Sequence, residues 1–171
     1  GESDALHSLC SAAVSARDLC EVRFVELKSP RALEGRLCLE FEPMLARLRD
    51  WEGHPAYWRL GLHAEVREGA LLIRRLPRGE VRECWLCLRS NRPLDCRADA
   101  LDEPLGWLSH PFVRASTPAF APMSGSFSAR FALAFGPTAE EAMAAASRGL
   151  NAAAQDFADL LSARAALGGM G

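Results

Sequence analysis

The sequence predicts an α+β fold: one mostly antiparallel sheet of about six strands, with an N-terminal helix and a long C-terminal helix packed on it. Three observations carry this. Phe127, Ala129, Phe131, Leu133 and Phe135 alternate with Ser128, Arg130, Ala132 and Ala134, the period of a strand with two distinct faces. Pro137-Thr138 then opens a helix, with Thr138 and Glu141 spaced for a capping box. Met143, Ala146, Leu150, Ala154, Phe157 and Leu161 follow at helical spacing until Gly168-Gly169. Finally, Tyr57 to Arg89 reads as a three-stranded meander, because the turns Arg67-Glu68-Gly69 and Pro77-Arg78-Gly79 interrupt continuous strand patterning.

The remaining elements follow in chain order. Ser3 can cap a helix whose side is lined by Leu6, Leu9, Cys10, Ala13 and Val14 and which ends near Arg17 or Asp18. Cys20 to Lys28 is expected as a strand broken by Ser29-Pro30, and Arg36 to Glu42 as a second one after a turn at Gly35. Pro43 with Met44, Leu45, Leu48 and Trp51 suggests a short helix closed by Gly53-His54-Pro55. Within the meander, Trp58, Leu60, Leu62, Ala64 and Val66 are expected to face the core. The strand Glu80 to Ser90 is apolar on both faces, as a central strand would be. From Asn91 to Ser124 no period persists and five prolines deny backbone bonds, so a long irregular loop is expected. Leu105, Trp107, Leu108, Phe112 and Phe120 make this loop too apolar for a linker and a candidate for binding.

A chain of 171 residues with 49% hydrophobic content can bury one core, so 1–171 is read as a single domain. The net charge is −2, and the mildly basic stretch Arg59 to Arg92 interleaves its arginines with apolar residues as a solvated sheet face does. A nucleic-acid partner is not expected. No run of eighteen apolar residues exists, so no transmembrane segment is expected. Six cysteines at this length are too sparse for a disulfide scaffold, which points to the cytoplasm. Export is the alternative, were a leader to precede Gly1.

Cys84-Trp85-Leu86-Cys87 is the one short motif that suggests thiol or metal chemistry, with Cys96 as a third ligand and Cys38 or His63 as a fourth. An extended backbone would send Cys84 and Cys87 to opposite faces, and a second close pair is missing, so no metal or cofactor is expected. The histidines 7, 54, 63 and 110 share no ligand spacing; of the turn pair, His110 beside Ser109 is the better catalytic candidate. Met123-Ser124-Gly125-Ser126 precedes a strand, whereas a nucleophile elbow follows one. Glycine-rich nucleotide signatures are absent from the sequence.

Aromatic surplus then carries the functional expectation. Trp51 and Tyr57 flank one turn, and Trp107, Phe112 and Phe120 gather in the long loop, where rigid aromatic area suits a contact surface. The reading is a non-catalytic protein-binding module, an accessory subunit, adaptor or chaperone-like partner, which binds another protein or forms a homodimer. The alternative is a carrier or sensor of a small hydrophobic ligand, with a pocket between sheet and C-terminal helix lined by Phe127, Phe131, Phe135, Leu150 and Phe157. A thiol- or metal-dependent enzyme built on Cys84, Cys87, Cys96 and His110 comes third.

Overall fold

The computed structural model describes residues 7–15, 19–36, 38–41, 62–77, 82–98, 106, 113–118 and 120–152. Among them are nine strands: β1 (His7–Ser15), β2 (Cys20–Gly35), β3 (Cys38–Phe41), β4 (Leu62–Arg67), β5 (Ala70–Arg75), β6 (Cys84–Ser90), β7 (Asp95–Ala98), β8 (Val113–Ser116) and β9 (Phe120–Gly136). A helix, α1, covers 139–152. Six strands form a fully antiparallel sheet in the order β1-β2-β9-β6-β5-β4. The other three form a small antiparallel sheet, β3-β8-β7.

The period-2 patterning of the large sheet divides its apolar residues between two cores. Leu71, Ile73, Leu86, Leu88, Ala129, Phe131 and Leu133 pack with Cys96, Val113 and Ala115 of the small sheet. Cys20, Val22, Phe24, Leu72, Cys87, Ala132 and Ala134 pack instead with Ala139, Ala142, Ala146 and Leu150 of α1. The large sheet is therefore a middle layer, with α1 on one face and the small sheet on the other. β6 supplies side chains to both cores, as its two apolar faces require.

An antiparallel sheet with one helix is compatible with the expected α+β class, but four elements differ from the sequence reading. The expected N-terminal helix is the strand β1, paired with β2 over nine residues from His7↔Lys28 to Ser15↔Cys20. Its apolar spacing satisfies a helix, yet Ser8, Ser11, Ser15 and Val14 give it weak helix propensity, and the open side of β2 offers a complete ladder. β2 also passes through Ser29-Pro30; register shifts between Ser29 and Leu33 and between Leu33 and Gly35 accommodate the interruption as bulges. The stretch after Gly35 becomes β3 of the small sheet. Inside 91–124, expected to be irregular, lie β7 and β8, four-residue strands that fit between the prolines, and the start of β9, which runs through Pro122 where its register with β2 shifts.

The largest difference concerns where α1 sits. The ligand-carrier alternative seats the helix on the aromatic face of β9, but α1 covers the face carrying Ala132 and Ala134, while Phe131 fills the core toward the small sheet. Small side chains on both helix and strand allow close approach, whereas the wider gap between two sheets takes the phenylalanine. Thr138 caps the helix as expected, without the return bond from the Glu141 side chain that a full capping box adds: the Glu141 amide donates to Thr138 Oγ1 at 3.2 Å and the Ala142 amide to the Thr138 carbonyl at 3.1 Å. Arg89 of β6 donates to Ser147 Oγ at 2.6 Å, tying α1 to the sheet beneath it. The expected short helix after Pro43 lies outside the described residues.

Candidate functional site

At the end of the large sheet where β9 gives way to α1, a cleft of about 400 Å³ opens between Leu19, just before β2, and the first three turns of the helix. Leu19, Phe135, Gly136 and Pro137 line it from the strand ends, and Glu141, Ala144, Ala145 and Arg148 line it from the helix. Glu141 and Arg148 are seven positions apart, two helical turns, so both fall on the face that borders the opening.

Leu19 is the residue that most needs explanation. It precedes β2 with φ at 46°, in the left-handed region where a side chain with a Cβ is strained by about 1–2 kcal/mol. It is also 63% exposed, and its neighbour Phe135 is 43% exposed; with Val66 on β4 they are the large apolar side chains most open to solvent among the described residues. The Phe135 amide donates to the Leu19 carbonyl at 3.1 Å, which fastens the strained turn to the end of β9. Backbone bonding therefore holds two exposed apolar residues next to each other at the cleft.

The candidates chosen from the sequence are distributed as follows. Trp51, Tyr57, Trp107, Phe112 and His110 lie outside the described residues, as does Phe157; Phe120 opens β9, with its side chain outside the described set. Of the pocket set, Phe127 and Phe131 face the small sheet, Leu150 packs in the core under α1, and Phe135 lies at the cleft. These four are thus not brought around one cavity, because a strand alternates its faces while the helix covers only one of them.

Cys84 packs against the core toward the small sheet and Cys87 is buried in the core under α1, so the two sulfurs cannot share one ion. Burial pushes the Cys87 thiol up to about 12 and that of Cys96 up to about 11, and it also raises that of Cys84, the opposite of an activated thiolate. Among the described residues no group of three or more His, Cys, Asp or Glu side chains is placed to hold a metal ion. No helix among them is long and apolar enough to cross a membrane.

The sequence reading missed Leu19, placing it between a helix and a strand. Its signal was a leucine directly before a strand in a connection too short to be buried. Comparison with known protein families and with curated proteins finds no match to this sequence.

Proposed function

We propose that the chain is a non-catalytic protein-binding module and that Leu19 and Phe135, above the cleft, form its contact surface. The observation that carries this is Leu19: a leucine held in a strained left-handed turn leaves most of its apolar area in water beside a second exposed apolar residue, so the fold gains little from the strain it bears there. A partner that covers it recovers the apolar area. The cleft suits one inserted apolar side chain, with Glu141 and Arg148 positioned for polar groups of either sign beside it.

A peptide-display library selected on the immobilised chain tests this. Enriched peptides should carry an apolar anchor, compete with one another, and bind Leu19→Asn and Phe135→Ser at least about tenfold more weakly. Enriched peptides that bind both variants as tightly as the unaltered chain would place the contact surface elsewhere.

A further inference from the structure

The edges of the two sheets are treated unequally. β4 is six residues long, carries Glu65 and Arg67, and has its Ala64 amide bonded to the Gly106 carbonyl at 2.7 Å. β3 and β7, the edges of the small sheet, are four residues each and carry Glu40, Asp95 and Arg97. Short length, charge and covering segments are the usual means of keeping sheet edges from pairing with other chains. β1, the remaining edge, is neither short nor charged: it is nine residues long, without lysine, arginine, acid, proline or glycine, and its pairing with β2 is free of bulges. Among the described residues nothing bonds to its outer side.

From this we infer that β1 is a homodimer interface, where two copies of the chain pair antiparallel and join their large sheets into one. Full overlap of nine residues admits a single register, with Ser11 on the two-fold axis, Cys10 opposite Ala12, Leu9 opposite Ala13, Ser8 opposite Val14 and His7 opposite Ser15. Each larger residue meets a small one in that register. The charges one strand further in fit as well. Following the β1–β2 register outward, Glu21 falls in line with Leu27 of the second copy, Arg23 with Val25, Glu26 with Val22 and Lys28 with Cys20, so no like charges share a row. A heterologous peptide would gain little side-chain specificity from a strand of serine and alanine, whereas a copy matches it in length, neutrality and straightness. This edge is separate from the cleft, and neither proposal depends on the other.

Sedimentation velocity from about 1 to about 100 µM should show a monomer–dimer equilibrium. Ser11→Lys places two ammonium groups at the two-fold axis and should leave a monomer with an unchanged circular dichroism spectrum. Ser11→Cys should form, on mild oxidation, a disulfide joining position 11 of two copies, located by peptide mass mapping; this decides the matter should the lysine variant fail to fold. A monomer across the whole concentration range overturns the proposal. So does a dimer that survives Ser11→Lys and gives no cross-link at position 11.

Discussion

A Cβ built on Gly149 would stand 2.5 Å from Cys20 Sγ and 3.1 Å from Val22 Cγ2. Helix α1 therefore meets β2 through bare backbone at this point, at a separation that no other residue permits. Cys20 and Val22 belong to the same core as Ala142 and Ala146, so the contact sets how deeply the whole helix sits on the sheet.

Gly149→Ala is expected to destabilise the fold, although the same change in an open helix would stabilise it by about 1 kcal/mol. Overpacking costs about 1–3 kcal/mol, because Cys20 is held in a core, so a net loss of up to about 2 kcal/mol is expected. Urea denaturation measures it. A midpoint raised by the alanine would show that α1 stands further from β2 than this geometry requires.

Phe131 is 2% exposed and fills the core between the two sheets. Phe131→Ala should cost about 3–5 kcal/mol, a large part of the stability of a domain this size. The truncation opens the core on the side away from α1. Near-ultraviolet signals from the small-sheet side should therefore weaken while helical circular dichroism at low denaturant persists.

Legibility from sequence followed the strength of each local signal. The meander was readable because Gly69 marks its first turn and the two faces of β6 are both apolar, and both features depend on neighbours in the chain. The start of α1 was readable from Pro137, Thr138 and Glu141 for the same reason. β1 was not: Leu9, Cys10, Ala13 and Val14 fit a helical stripe, and only the unpaired side of β2, a long-range fact, makes the segment extended. The face chosen by α1 was equally hidden, since the alternation in β9 defines two faces without saying which the helix covers. Leu19 was missed because the left-handed turn that exposes it exists only once β1 is a strand.

Arg74 and Glu83 give the fold a pH dependence. The Glu83 carboxylate accepts from Arg74 Nε at 2.8 Å and Nη2 at 3.2 Å, and from Trp85 Nε1 at 3.0 Å. The guanidinium hydrogen bond, helped by the indole and opposed by partial desolvation, holds this carboxyl below its ordinary value of 4.5. With the folded value below the unfolded one, the contribution is complete above the unfolded value and is lost as pH falls through the folded one. Stability should therefore decline on the acid side of 4.5 in a way that Glu83→Gln flattens. Denaturation midpoints across that range check it; parallel profiles for the two proteins would assign the acid response to other carboxylates.

Two left-handed residues separate stability from binding. The β4–β5 hairpin turns through Glu68 and Gly69 with φ of 51° and 72°, a geometry that favours asparagine at the first position. Glu68→Asn should gain about 0.5–1 kcal/mol by relieving the strain of a glutamate there. Leu19→Asn should gain a similar amount, since the Phe135 amide bond to the position-19 carbonyl is a backbone interaction and survives the change. The two variants then diverge. Glu68→Asn should bind selected peptides as before, whereas Leu19→Asn should be the more stable protein and the poorer binder, as a residue kept for contact at the expense of the fold requires. Thermal melts paired with peptide titrations read both quantities on the same samples. A Leu19→Asn chain that loses stability would mean that Leu19 serves packing, and the cleft would lose its claim as a contact surface.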